Sequence, residues 1–248
     1  MKQVFAFLAS MLLLTGLRAQ DFITRGKIEF EVKRNNKRAF SASNRNDMYS
    51  QSMPEFDVSY RDLTFSYNQL LYQPGRRSSS TSSIWGTNNN SVYTDLDKQR
   101  LVAKKSFIDD SFVFEDSIPK VRWKLDNETR KIAGWECRKA VGRIYDSVYV
   151  VAFYCPEIIP QGGPELFSGL PGMILGLAIP RYYTTWFATR IEIANIDETG
   201  IVPPSGKKNK LYSKKELAEL LFKKYKEAGW WKEATLEKIM NMISNYTL

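Results

Sequence analysis

The sequence predicts a mainly β protein of the α+β class, in which an antiparallel sheet is followed by two C-terminal amphipathic helices. Between residue 23 and about residue 195, apolar and polar residues alternate with a period of two, which is typical of strands with one buried and one solvated face. Beyond residue 205 the apolar residues recur at helical spacing instead, which favours helices that bury one face. The chain of 248 residues is long enough to enclose a hydrophobic core without cross-links.

Residues 1–19 have the pattern of a secretory signal peptide. Lys2 precedes an apolar run from Val4 to Leu14, and Ala19 is a small residue at the predicted cleavage site. A buried first helix is the alternative, and the run is shorter than the ~20 residues that span a membrane. No cysteine near the cleavage site could carry a lipid anchor. The protein is therefore expected to be exported, periplasmic or envelope-associated, and not a lipoprotein.

Six stretches predict strands. Three alternate strictly and predict one buried face each; their apolar residues are Ile28, Phe30 and Val32, then Leu63, Phe65 and Tyr67, then Val121, Trp123 and Leu125. The run from Val148 to Tyr154 is apolar on both faces and predicts a central strand. The stretches 173–179 and 184–193 predict two further strands, joined at Pro180 and Arg181.

Two polar segments interrupt this pattern. Residues 36–52 are irregular, with room for a short helix. Residues 74–91 are rich in Pro, Gly, Ser and Asn and predict a mobile surface loop within the β domain of residues 20–204. Trp85 lies in the middle of that loop, where it either pins the loop to the body or faces a ligand.

The last segment, residues 205–248, predicts two basic helices that pack on the sheet. Ser213 and Glu216 have the spacing of a capping box, and Gly229 lies where a helix C-cap glycine belongs. Ten lysines stand against five glutamates there, in a chain of net charge +9. A helix lying on an anionic membrane surface is the alternative, and nucleic acid is not expected as a partner of an exported protein.

The composition excludes several kinds of catalysis. The chain has no histidine, which removes Ser-His-Asp and Cys-His mechanisms and the usual zinc sites. No spacing resembles an EF-hand. We therefore expect neither a metal nor a cofactor, and we assign no catalytic residue.

The two cysteines, Cys137 and Cys155, predict a disulfide. They are symmetric about position 146, and residues 145–147 are suited to a three-residue hairpin loop. Two antiparallel strands joined there would place the cysteines opposite each other, within disulfide range. A redox-active or catalytic thiol is the alternative, but the spacing is not that of a CxxC motif.

A tight turn follows at residues 169–174, with the sequence Gly169-Leu170-Pro171-Gly172-Met173-Ile174. Pro171 and Gly172 suit the second and third positions of a type II turn, because proline fixes φ and glycine tolerates a positive φ. The apolar residues on either side predict that the turn is buried.

These six residues resemble the signature of the GLPGLI family, a group of exported proteins of Bacteroidetes-type bacteria. Supporting segments occur in the family's order over residues 26–180, at 26–31, 53–56, 123–140, 152–158 and 163–165. Met173 replaces the leucine of the family name, and residues 36–52 and 74–91 match poorly. The resemblance implies a curved antiparallel sheet with helices, similar to periplasmic lipoprotein carriers and in part to the N-terminal module of some bacterial peptide-N-glycanases. It also implies a link to outer-membrane import systems.

The sequence is compatible with three functions. The first is a non-enzymatic periplasmic binding or accessory protein, whose partner is an outer-membrane transporter or a peptide or lipid ligand. The second is a hydrolase that uses carboxylates, with Glu157 and Glu165 as the candidate pair and with Asp109 and Asp110 in a separate predicted turn. If the protein is not a hydrolase, Glu157 and Glu165 are candidates to face a ligand, as Trp85 is. The third is an envelope-assembly factor that docks on membranes through the basic helices.

Two sequence triplets resemble acceptor sites for bacterial O-glycosylation. Ser117 and Ser147 each follow an aspartate and precede an aliphatic residue. Such short patterns also recur by chance, and an exposed serine is required for the modification.

Overall fold

The computed structural model describes residues 22–41, 54–76, 90–107, 110–145, 147–193, 196–206, 210–229 and 233–244. The predicted signal peptide, most of the 74–91 loop with Trp85, and Asp109 lie outside these residues.

The described residues form one twelve-stranded sheet, in the order β12-β6-β5-β4-β3-β2-β1-β11-β10-β9-β8-β7. The strands are β1 Arg25–Asn35, β2 Phe56–Ser66, β3 Gln69–Pro74, β4 Ser91–Asp95, β5 Arg100–Phe107, β6 Asp110–Ser117, β7 Lys124–Ile132, β8 Trp135–Ile144, β9 Val148–Cys155, β10 Met173–Ile179, β11 Thr184–Glu192 and β12 Tyr212–Ser213. The predicted mainly β class is confirmed.

The sheet is mixed, which corrects the prediction of an antiparallel sheet. All neighbouring strands run antiparallel except β12, which pairs parallel to β6 through Tyr212 and Ser213. The chain returns to β6 only after β7 to β11 have been completed, and it then runs in the same direction as β6. A two-residue strand reached by such a long connection leaves no periodic signal in the sequence.

The alternation in the first strands is confirmed. Ile28 and Phe30 in β1 and Leu63 and Phe65 in β2 are all buried, and Ile28 pairs with Leu63 across the ladder. Tyr67 departs from the prediction, because it lies in the turn after β2 with φ of 49° and is 59% exposed.

The strand predicted around Val121, Trp123 and Leu125 is wrong in its position. β7 begins at Lys124 as an edge strand, and Leu125 is 55% exposed. Residues 118–123, here called the extended segment, pair with no strand among the described residues. Val121 and Trp123 nevertheless pack closely on Gly142 of β8, where an added Cβ would lie 2.7 Å from Val121 Cγ1.

The hairpin of β8 and β9 has the predicted register. Arg138 pairs with Tyr154 and Ile144 with Val148, so both pairs are symmetric about position 146. β10 and β11 also form as predicted and join through a short 3₁₀ helix at Pro180–Tyr182.

In the described ranges three α-helices accompany the sheet: α1 Asn36–Ser41, α2 Lys214–Glu227 and α3 Leu236–Ile243. The capping box at Ser213 and Glu216 is present, and Gly229 has the positive φ of a C-cap glycine, 67°. α2 buries Leu217, Ala218 and Leu221, while α3 buries Ile239 and Ile243. Among the described residues, none of the helices combines the length and hydropathy needed to cross a bilayer.

α2 is also held by ion pairs to β6. Lys224 Nζ lies 2.9 Å from Asp110 Oδ2, and Lys214 Nζ lies 3.4 Å from Asp116 Oδ2. Two lysines of the basic segment are therefore engaged with the sheet.

Candidate functional site

A groove of about 600 Å³ opens beside the extended segment. Its walls come from the β2–β3 turn, the β4–β5 turn, the extended segment itself and the loop between β9 and β10. The lining residues are Asn68, Leu96, Gln99, Ile118, Pro119, Lys120, Val121, Ile159, Gln161, Ser168 and Gly169.

Hydrogen bonds hold these walls together. Leu96 N–H donates to Asn68 O at 2.9 Å, and Ile118 N–H donates to Gln99 O at 3.2 Å. On the opposite side, Gly169 N–H donates to Gln161 O at 2.9 Å. Trp123 Nε1 spans both sides by donating to Ser168 O at 2.9 Å. The groove is therefore framed by fixed backbone.

The lining is rich in neutral hydrogen-bonding groups. Asn68, Gln99, Gln161 and Ser168 are uncharged, and in the described part of the lining Lys120 is the one charged residue. Asn68 Nδ2 donates to Asp97 Oδ1 at 2.7 Å, and Gln99 Nε2 donates to Leu96 O at 2.7 Å. Each of these bonds uses one of the two donor hydrogens of the amide.

The predicted turn at residues 169–174 connects the groove to the core. Leu170, Met173 and Ile174 are buried, and Gly169 lines the groove. Gly172 has φ of 141°, and a Cβ there would lie 2.2 Å from Cys155 O, so glycine is required on two grounds. The Gly172 N–H bonds to Leu170 O at 2.8 Å, which is the two-residue spacing of a γ-turn rather than that of the predicted type II turn.

Glu165 lies in the core instead of the groove. It is 6% exposed, and its Oε1 accepts hydrogen bonds from Trp186 Nε1 at 3.0 Å and from the Tyr72 hydroxyl at 3.5 Å. The cavity beside it measures about 10 Å³, which is room for one water at most. Burial, with the Glu165 charge as the next cause, raises the pKa of Tyr72 well above its usual value.

Lys105 is a second buried charge. It is 4% exposed, and its Nζ donates to Ile243 O at the end of α3, at 3.4 Å. Burial lowers the pKa of Lys105 to about 8, and the charge of Glu165 partly opposes that shift.

The two cysteines are buried and free in this structure. One step beyond the Arg138–Tyr154 pair, the register of the hairpin places Cys137 opposite Cys155. Their mutual hydrogen bond, followed by burial, raises the pKa of the Cys137 thiol. The same bond, with the backbone N–H groups of Glu157 and Ile158, lowers the pKa of the Cys155 thiol.

The remaining predicted site residues are dispersed. Glu157 is half-buried in the turn after β9 near the cysteines, apart from the Glu165 cluster. Asp110 is engaged with Lys224. Ser117 and Ser147 are both exposed. No group of three metal-ligating side chains clusters in the described ranges.

Sequence reasoning missed most of the groove. Its lining comes from segments that are distant in the chain, and no local pattern marks Asn68, Gln99 or Gln161 as neighbours. Gly169 is the exception, because it lines the groove and also belongs to the turn motif of residues 169–174.

The fold and the groove together define a mainly β protein with an open cleft at the turns of its sheet. No family model and no curated protein matches the chain. Two solved structures of PNGF-II are similar in fold, with TM-scores of 0.55 and 0.51 at 13% and 12% identity. They cover 81% and 76% of this chain, and the chain spans only 34% and 30% of theirs.

An uncharacterized conserved protein from Thermus thermophilus has a TM-score of 0.42 at 7% identity, over 78% of this chain and 93% of its own. The likeness to PNGF-II concerns the fold alone.

Proposed function

We propose that this chain is an exported envelope protein of the GLPGLI type that binds a ligand or partner in the groove without catalysing a reaction. The groove carries the proposal. Its volume of about 600 Å³ falls in the range of ligand sites, roughly 300–1,000 Å³. Its walls combine apolar side chains with a few hydrogen-bonding groups, as such sites do.

The position of the charged groups favours binding over hydrolysis. No carboxylate is among the described residues that line the groove, and Glu165 is enclosed in the core with room for one water at most. A carboxylate must reach its substrate to transfer a proton. Neither Glu157 nor Glu165 lines the groove, so we favour the binding hypothesis over the hydrolase hypothesis.

The proposal also covers the curvature of the sheet and the packing of the C-terminal helices on it. The sheet of residues 20–204 is curved, and the amphipathic helices of residues 205–248 close one side of it. A contact between distant strands supports this, because the Arg130 guanidinium carbon of β7 lies 4.7 Å from the ring centroid of Phe187 in β11. Three strands lie between β7 and β11, and a flat sheet would keep them farther apart than these side chains can reach. Residues 1–19 direct the chain to the periplasm, where an outer-membrane transporter is a candidate partner.

Oxidation of Cys137 and Cys155 belongs to the same proposal. The opposed thiols lose two protons and two electrons to a disulfide oxidant of the envelope and form one S–S bond. The hairpin register supports this pairing. Mass analysis of the exported protein, with alkylation before and after reduction, tests it; two thiols that alkylate without reduction contradict it.

Native mass spectrometry of the protein from its own envelope tests the binding function. We expect a discrete added mass that is lost from Ile159→Trp, because Ile159 lines the groove and is 43% exposed. Val202→Trp is the matched control, since Val202 is 57% exposed and does not line the groove. A bare chain in all three samples, or an adduct that Ile159→Trp retains, contradicts the proposal.

A further inference from the structure

A patch of apolar side chains lies on the outer side of the sheet. Within β9, Val150 and Ala152 are fully buried, whereas Val151 is half-buried and Tyr149 is 51% exposed. Successive side chains of a strand point to opposite faces, so Val151 and Tyr149 share the face opposite Val150 and Ala152. Contiguous apolar residues on a solvated face are typical of binding surfaces.

The patch continues across the neighbouring strands. Directly opposed residues of paired strands project from the same face. Val151 pairs with Val141 of β8 and with Ala178 of β10, and in the adjoining row Phe187 of β11 pairs with Gly176 of β10. Val141, Ala178 and Phe187 are half-buried, as Val151 is. The outer patch consists of Val141, Tyr149, Val151, Ala178 and Phe187.

Arg130 of β7 lies at one end of the outer patch. Its guanidinium carbon is 4.7 Å from the ring centroid of Phe187 and 5.7 Å from that of Phe153. The side chain is exposed, and among the described residues its guanidinium has neither an ion pair nor a hydrogen bond. A guanidinium held over aromatic rings keeps its five N–H donors for an oxyanion.

Arg143 of β8 lies at the other end. Its guanidinium carbon is 4.5 Å from the ring centroid of Tyr149, and it donates a hydrogen bond to the Tyr149 hydroxyl. It forms no ion pair with a carboxylate in the described ranges. From Tyr149 to Phe153 the strand spans about 13 Å, similar to an extended acyl chain of medium length. Two cations thus border a short apolar surface.

The acidic side chains around the outer patch are already engaged. Lys139 Nζ of β8 lies 3.7 Å from Asp126 Oδ2 and 2.5 Å from Glu128 Oε2. Glu31 of β1 accepts a hydrogen bond from the Tyr60 hydroxyl at 3.5 Å. The two arginines are therefore left to attract an anion from solution.

These features favour one kind of occupant. Aliphatic side chains between two arginines complement an acyl chain that carries an acidic group. A second copy of the chain would bring like charges together, because a two-fold contact places the same patch on both sides. A flat bilayer fits poorly, since the contact of Arg130 with Phe187 across three intervening strands supports a sheet that curls toward this face.

We propose that the outer patch binds a single acidic amphiphile of medium chain length, with its acyl chain along β9 and its carboxylate on Arg130. The described lining of the groove includes none of the patch residues. The outer patch is therefore a second site, and the inference goes beyond the proposed function.

Methyl NMR of the exported chain, titrated with decanoate or with decanol below micelle formation, tests it. We expect decanoate to cause saturable shifts at Val141, Val151 and Ala178, and to leave Ile159 in the groove unchanged. Decanol has the same chain without the charge, so it should bind the patch at least about tenfold more weakly.

Variants separate the charge from the apolar contact. Arg130→Gln should weaken decanoate binding at least about tenfold and change decanol binding less than about threefold. Lys131→Gln is the matched control, because Lys131 is the next exposed cation of β7 and projects from the opposite face. Val151→Glu should weaken both probes at least about tenfold, and Val202→Glu, outside the patch, should not. A heteronuclear spectrum of each variant confirms that it is folded.

Every other outcome overturns the inference. Equal effects of Arg130→Gln and Lys131→Gln would reduce the binding to general charge attraction. Shifts confined to Ile159 would place the amphiphile in the groove, which refutes the second site and supports the proposed function. If decanoate shifts none of these methyl signals, the outer patch is no amphiphile site, and the adduct test of the groove remains a separate question.

Discussion

The core cavity beside Glu165 and the groove are neighbours that differ in what they enclose. Ile118 and Ser168 line both of them. The core side measures about 10 Å³ and contains a buried carboxylate, whereas the groove measures about 600 Å³ and is mostly neutral. The groups that suggest chemistry are thus separated from the space that could admit a ligand.

This difference shows why buried charge alone is a poor guide to function here. Glu165 is satisfied by Trp186 and Tyr72, and Lys105 by the carbonyl at the end of α3, so both act in packing. Under the proposed binding function, the groove would instead recognise a ligand through shape and hydrogen bonds. Substitutions on the two sides should therefore differ in what they cost the protein.

The greatest loss of stability is expected on the core side, from Gly172→Ala. The added Cβ would lie 2.2 Å from Cys155 O, at a φ of 141°, so overpacking and backbone strain combine to about 4 kcal/mol. Urea unfolding measures the change in the free energy of unfolding. Gly169→Ala is the control, because its φ is 87° but no atom lies within 4 Å of the new Cβ, and it should cost only about 1 kcal/mol. Equal costs would show that crowding at Cys155 is unimportant.

A pair of truncations compares the two sides directly. Leu166 lines the core cavity and is 6% exposed, and Ile159 lines the groove and is 43% exposed. Leu166→Ala should lower the free energy of unfolding by about 3 kcal/mol, since it leaves a cavity, and Ile159→Ala by less than about 1 kcal/mol. Urea unfolding of both variants decides. A reversed order would mean that the groove is part of the core.

Oxidation of the cysteine pair should stabilise the β8–β9 hairpin. Closing the loop between Cys137 and Cys155 is worth roughly 3 kcal/mol in the chain-entropy model. The free energy of unfolding is compared with and without a thiol reductant. Cys155→Ala removes the bridge and should make the two conditions equal. A reductant effect that survives in Cys155→Ala would assign the stabilisation to another cause.

A still smaller change is the pH dependence that Lys105 contributes. Its pKa is about 8 in the folded protein, below the ordinary 10.5, so above pH 8 the unfolded chain holds a proton that the folded chain has released. The free energy of unfolding should therefore rise with pH, by about 2 kcal/mol between about pH 8 and 9.5. Lys105→Met should flatten this rise. Tyrosines and thiols contribute equally in both proteins, so the difference between the two pH profiles reports Lys105 alone. Identical slopes in the two proteins would contradict the assignment.

The sequence was a good guide where the signal is local. Alternation located β1 and the end of β2, symmetry about position 146 set the register of the β8–β9 hairpin, and the capping box at Ser213 marked the start of α2. Each of these depends on residues within one or two elements. The positive φ of Gly172 was likewise readable from its neighbours.

The failures concern contacts between distant segments. Val121 and Trp123 have a strand pattern because they pack on Gly142, and periodicity does not reveal that β7 begins only at Lys124. Glu165 was singled out as facing a ligand, yet Trp186 and Tyr72 enclose it from other strands. The parallel strand β12 has only two residues, which is too short to show a strand period in the sequence.

The position of β1 has a consequence for the order in which the chain can fold. β1 lies between β2 and β11, and Thr189 bonds to Glu29 across 160 residues. The first strand to leave a ribosome or a translocation pore must therefore wait for almost the last one before its ladder is complete. Contacts between residues so distant in sequence make folding slow, and under the proposed export this delay would keep the chain unfolded while it crosses the membrane.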